Sequence, residues 1–153
     1  MLIKSLVISH LLYYAPFSLG ISNKLISRME SVIHAAYRLL HGLSRRDSVS
    51  LDGDWMSFQA LVTLRTLVVL HNIFHRKQPP FLASSVSLYL PPRELQSADI
   101  NLLQVKPTRT AMADRAFSIA GARLWNSLPN ELRREAALGT FKDQCSTWLF
   151  SLQ

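Results

Sequence analysis

The sequence predicts a mainly α-helical protein, with four to five helices around one core and an irregular, proline-rich connector between them. Three observations lead there. Apolar residues recur at helical spacing from Asn23 to Leu40 and again from Trp55 to about Arg76. Five of the seven prolines (Pro79, Pro80, Pro91, Pro92, Pro107) then fall between Gln78 and Thr110, where no long helix can pass. Helical spacing returns from Ala111 to the end. The chain has 153 residues, the size of one ordinary domain, and can bury roughly 70% of the surface its unfolded form exposes. Residues 1–77 thus read as N-terminal helices, 78–110 as connector and 111–153 as C-terminal helices of a single domain.

Ser5 to Asn23 carries no formal charge and is bracketed by Lys4 and Lys24. Residues 1–22 can therefore be read as a signal peptide or anchor, with Leu6 to Leu12 as the apolar centre and Ser18-Leu19-Gly20 before a cleavage point. His10, Tyr13, Tyr14, Pro16 and four serines argue instead for a buried helix of a soluble domain, and a membrane is not the expected partner.

Asn23 to Leu40 carries the strongest helical pattern. Leu25, Ile26, Met29, Val32, Ile33, Ala36, Tyr37 and Leu40 form one stripe, and Lys24, Arg28 and Arg38 lie off it. Ser22 or Asn23 can cap it, Ser27 to Glu30 fits a capping box if the start lies later, and Gly42 suits the left-handed turn that closes a helix. Leu51 to Asp54 reads as a turn, with Asp54 capping a helix from Trp55 to about Arg76 whose apolar face holds Trp55, Phe58, Leu61, Val62, Leu64, Val68 and Phe74. Arg76 and Lys77 suit its C-terminal dipole, and Pro79-Pro80 end it.

In the connector, Val86 to Leu90 and Leu102 to Val105 are candidates for short extended pieces and one hairpin. Ala111 to Ser127 is expected as one helix, Asn130 to Ala136 as a short turn or helix after Pro129. Thr140 to Asp143 resembles a capping box opening a last helix that buries Phe141, Cys145, Trp148, Leu149 and Leu152.

No catalytic constellation emerges. His71 and His75 stand four apart, a spacing that lets two imidazoles meet one metal, but Asn72 stands where a zinc protease needs its glutamate base. His34 and His41 share another helix, and all four are expected as half-buried or surface histidines. Asp52-Gly53-Asp54 lacks the further carboxylates that two-metal catalysis requires and is expected as a turn. No Gly-x-Ser-x-Gly elbow, phosphate-cradling loop or dinucleotide fingerprint is present. The single cysteine, Cys145, excludes an internal disulfide and is expected to be buried and inert. No metal, cofactor or small-molecule substrate is expected.

Charge points elsewhere. Seventeen Lys and Arg against ten Asp and Glu leave a net +7, which favours polyanionic partners. The excess is spread out: Met1 to Arg76 has eight basic and four acidic residues, Lys77 to Gln153 nine and six. Arg38, Arg45, Arg46, Arg109, Arg115, Arg123, Arg133, Arg134 and Lys142 are the candidates for contacts to RNA or DNA phosphates. Trp125, Phe141 and Trp148 fall on apolar stripes and are expected in the core, not as base-stacking platforms.

The run Asp114 to Pro129 contains Arg115-Ala116-Phe117-Ser118 and then Leu124-Trp125-Asn126-Ser127-Leu128-Pro129. Arg133-Arg134, Phe141-Lys142 and Trp148-Leu149-Phe150 follow in order, and Ala35-Ala36-Tyr37-Arg38-Leu39-Leu40-His41-Gly42 stands upstream. This pattern resembles the C-terminal region of reverse transcriptases of non-LTR (LINE-type) retrotransposons, over nearly the whole chain. Trp55, Pro80-Phe81-Leu82, Tyr89-Leu90-Pro91, Arg93 and Ser97-Ala98-Asp99 match further landmarks. Departures are Ile33-His34 in place of a Gln-Asn pair, Trp55-Met56-Ser57 in place of Trp-Leu-Pro, and Gln96 in place of a second arginine.

The resemblance implies that the whole parent protein is an RNA-directed DNA polymerase whose catalytic aspartates precede residue 1, and that this chain is its non-catalytic tail. Phe117, Trp125, Asn126, Leu128, Pro129 and Phe141 then read as structural motif residues. Weak, sequence-independent nucleic-acid binding and a nuclear or cytoplasmic location are the implied expectations.

Overall fold

Helical periodicity in the sequence becomes, among the described residues, eight helices: α1 (Leu2–Tyr13), α2 (Asn23–His41), α3 (Phe58–Arg76), α4 (Pro80–Ala83), α5 (Ala111–Asp114), α6 (Phe117–Asn126), α7 (Asn130–Arg134) and α8 (Leu138–Phe150). The computed structural model describes residues 2–13, 18–51, 55–90 and 101–151. Tyr14, Pro16, the Asp52 to Asp54 turn, Pro91, Pro92, Arg93, Gln96, Ser97 to Asp99 and Leu152 lie outside them. The protein is mainly α, and five helices have ten or more residues. Two compact units divide at Arg65–Thr66, within α3, and each is described in turn.

In the first unit, α1 packs against α2. Its polar residues Lys4, Ser5, Ser9 and His10 are spread around it, and Leu6 is 59% and Tyr13 75% exposed, so the expected buried helix is half-covered. Its 12 residues span about 18 Å, well short of a bilayer's roughly 30 Å hydrocarbon core. Among the described residues no helix is long and apolar enough to cross a membrane.

The start of α2 is marked by Ser22, whose carbonyl accepts from Leu25 and Ile26 at 2.9 and 3.1 Å while its side chain makes no cap bond. The capping box expected at Ser27 does not form. That serine sits inside the helix and its hydroxyl donates back to Asn23 O at 3.0 Å, a habit of serine in helix interiors. Gly42 ends the helix at φ 65°, and the N–H groups of Gly42 and Leu43 both donate to Arg38 O.

Ile33, Ala36 and Tyr37 are the buried residues of α2, with Tyr37 meeting Trp55 edge-on at 5.4 Å. Trp55 is buried as expected but precedes its helix. Ser57 caps α3, its hydroxyl accepting from Ala60 N at 3.2 Å, and the expected cap Asp54 lies outside the described residues. Glu30 of α2 accepts from Gln59 N at 3.4 Å, placing a carboxylate at the positive end of the α3 dipole.

The second unit begins within α3, which ends with Lys77 in the left-handed region (φ 56°) and its N–H bonded to Ile73 O at 3.1 Å. Pro79 and Pro80 then open α4, where a missing N–H leaves no intrahelical bond unmade. The two extended pieces of the connector do meet, through an antiparallel bridge between Leu88 and Leu103 flanked by Tyr89 N to Leu102 O and Gln104 N to Ser87 O.

The single helix expected over 111–127 is broken into α5 and α6. Thr110 caps α5 through its hydroxyl, and Ala116 turns to ψ 138° before α6. Asp114 bonds both Thr108 and Arg123, the latter at 2.8 Å. In one straight helix, nine residues would hold Asp114 and Arg123 about 13.5 Å apart along the axis, beyond side-chain reach. The break therefore accompanies this ion pair.

The last helix starts at Leu138, so Thr140 lies within it and the expected capping box is absent; Glu135 instead accepts from Ala137 N at 2.8 Å.

Trp125, Phe141 and Cys145 are fully enclosed, with Leu67, Leu70, Leu103, Leu128 and Leu132 also buried in this unit. Trp125 stacks on Phe74 at 5.6 Å and tilts against Phe141 at 6.0 Å. Its indole N–H donates to Asn101 O at 2.8 Å. Next to it, Asn126 donates to Leu103 O at 2.8 Å and accepts from Leu103 N at 2.9 Å, an amide acting as a partner strand would. Asn101 sits at φ 66°, a conformation asparagine tolerates better than most residues.

Two stability changes follow. Gly42→Ala meets no atom within 4 Å, so its cost is purely the left-handed backbone, about 1 kcal/mol in urea unfolding. Asn126→Ala strands the Leu103 N–H and C=O and should cost about 1–3 kcal/mol in the same measurement.

Candidate nucleic-acid interface

The candidate cations of the first unit gather around the end of α2. Asp47 Oδ2 accepts from Ser44 N at 2.6 Å and Ser44 O from Asp47 N at 3.2 Å, which closes a tight turn carrying exposed Arg45 and Arg46. Arg38, half-buried on α2, donates through Nη2 to Asp47 O at 3.1 Å and so ties helix to turn. Arg38 and Arg45 share a groove of about 510 Å³ with Ser31, Ala35, Leu39 and Leu43.

In the second unit the candidates have different fates. Arg109 and Arg115 are exposed on either side of α5, Arg134 in the last turn of α7, and Lys142 on α8. Arg123 is exposed but paired with Asp114, whose carboxyl is held below the usual range first by the Thr108 hydroxyl and then by Arg123 itself. Arg133 corrects the sequence reading. It is 3% exposed, its Nη2 donates to Asn130 Oδ1 at 2.8 Å, and its carbonyl accepts from Asn101 Nδ2. A guanidinium so enclosed is part of the fold and does not face a phosphate.

The six residues of the expected structural motif are placed as follows. Trp125, Leu128 and Phe141 are buried, Asn126 is half-buried in its bonds to Leu103, Pro129 precedes α7, and Phe117 is half-buried at the start of α6. Trp125 and Phe141 present no open aromatic face for a base.

Two features escaped the sequence. Leu25, Val32 and Leu40, expected inside, are exposed together with Leu39 and Leu43. The available signal was that Leu39 and Leu43 lie off the predicted stripe, leaving α2 apolar on two faces. The second is His71, 1% exposed and therefore deeper than the half-buried state expected. Its Nε2 lies 2.9 Å from Glu135 O; a carbonyl only accepts, so Nε2 carries the proton and Nδ1 is bare. Nδ1 is buried with no hydrogen-bond partner among the described residues. The ring lies between Phe141 and His75, each 4.4 Å away.

Burial pushes the His71 pKa below 6.5, aided by the charges of His75 and Arg76 and opposed by Glu135. His75 is lowered too, again mainly by burial. Among the described residues no three His, Cys, Asp or Glu side chains converge as a metal site would need.

Comparison with family models, with curated proteins and with solved structures finds no match for this chain.

Because the folded state favours neutral His71, its contribution to stability is complete above pH 6.5 and is lost as pH falls below that value. Between about pH 7.5 and about pH 5 the melting temperature should fall more steeply for the wild type than for His71→Gln, whose amide can still donate to Glu135 O. Equal slopes in calorimetry would refute this reading.

Proposed function

We propose that the chain is a non-catalytic helical module, derived from the C-terminal tail of a LINE-type reverse transcriptase, that holds RNA or DNA through phosphate contacts without reading bases. The observation that carries the binding part is the exposure of Arg45, Arg46, Arg109, Arg115, Arg134 and Lys142, while Trp125 and Phe141 are withdrawn into the core. Guanidinium groups on the surface attract phosphates and release counterions, an attraction that does not depend on base sequence. The resemblance of the Trp125-to-Pro129 run and the net charge of +7 support the same reading. On this reading the module acts inside the cell, in the nucleus or cytoplasm, where its polyanionic partner is found.

If about four phosphates are neutralised, log K against log salt should have a slope of about −3.6 on duplex DNA, from about −0.9 per phosphate. Replacing both Arg45 and Arg46 by alanine should flatten that slope by about 1.8 in fluorescence anisotropy titrations, equally for unrelated sequences. Absence of binding at low salt, or a salt-independent affinity, would reject the proposal.

A further inference from the structure

The outer face of α2 carries more apolar surface than phosphate binding uses. Leu25, Val32 and Leu39 are 41%, 45% and 69% exposed and stand seven residues apart, with Leu43 (37%) continuing the line past the helix end. Single exposed leucines are ordinary on protein surfaces, but an aligned row is not. Ile33, Ala36 and Tyr37 are the buried residues of the same helix, so the row is a second apolar face beside the one the fold uses. A repeat of seven drifts only about 20° per step around a helix, which keeps the row nearly straight over about 21 Å from Leu25 to Leu39.

That geometry suits another helix. Apolar residues repeating every seven positions can line one side of a shallow helix crossing, with side chains of the partner seated between them. Ala35, exposed and small, lies beside Leu39 and leaves the about 510 Å³ groove where a partner's leucine or phenylalanine can enter. Charge then selects the partner. Lys24 and Arg28 are exposed near one end of the row, and Arg45 and Arg46 near the other, with Arg38 at the groove wall. The one acid on α2, Glu30, accepts from Gln59 N. A second copy of this chain would bring cations against cations in either orientation.

We propose that the outer face of α2 is a docking groove for one amphipathic helix of another protein, acidic along its flanks. Its apolar side chains seat against Ala35, Leu39 and Leu43, and its carboxylates meet Arg38 and Arg45. This goes beyond the nucleic-acid reading and does not depend on it.

The test uses the full chain and two fluorescein-labelled helical peptides with identical leucine heptads, one flanked by glutamates and one by lysines. The glutamate peptide should bind, and Leu39→Ser or Leu43→Ser should weaken it about tenfold or more. Arg45→Glu should weaken the glutamate peptide and improve the lysine peptide, a reversal that unfolding cannot mimic. DNA affinity should be unchanged in the leucine variants, so either reading can fail alone. No binding, or equal binding of both peptides, would overturn the proposal. So would a dimer in sedimentation that Leu39→Ser dissolves, or Leu39-dependent binding to phosphatidylserine vesicles in place of the peptide.

Discussion

The second unit depends on how Trp125 and Asn126 hold a segment with little secondary structure of its own. Apart from the four-residue α4, a connector rich in proline has no long helix to satisfy its backbone, and a lone two-stranded bridge is marginal in water. Trp125 takes the carbonyl of Asn101, and Asn126 takes both backbone groups of Leu103, so two adjacent side chains of α6 replace a missing strand. Burying Leu103 is possible only because its N–H and C=O are answered in this way. With that strand in place, Leu88 has something to pair with, and Trp125 closes over Phe74 and Phe141. A tryptophan followed by an asparagine at the end of a helix is thus a device for binding a loop.

The helical class was legible because period 3.6 survives in long segments, and Gly42 was legible because its backbone demands a residue without a side chain. Helix starts were less so. Side-chain caps were expected at Ser22 or Asn23, with Ser27 as a later alternative, and at Asp54 and Thr140; Ser22 does stand at the start of α2 but makes no side-chain cap bond. Ser27 and Thr140 fall inside their helices, and α3 begins instead at Ser57, because a hydroxyl near a helix start fits several registers and packing of Trp55 and Met56 selects one. The break between α5 and α6 was hidden for a different reason: it accompanies the Asp114 to Arg123 pair, a contact no local pattern encodes.

The basic residues show the same limit in electrostatic form. Composition counts Arg133 and Arg134 alike, yet one is enclosed under α7 and the other faces outward, a difference of one step around a helix. Likewise two histidines four apart suggest shared ligation, whereas His71 spends its Nε2 proton on Glu135 O and keeps a bare nitrogen in the core. Spacing proposes which groups can meet; desolvation decides which of them remain charged.

Cys145 adds a practical property to this interior. Burial raises its thiol pKa to about 12, and none of the residue is accessible. As the chain holds one sulfhydryl, alkylating reagents have a single target, and they reach it only when α8 detaches. The native protein therefore carries its own stopwatch for opening of the C-terminal unit, readable by mass without adding a label.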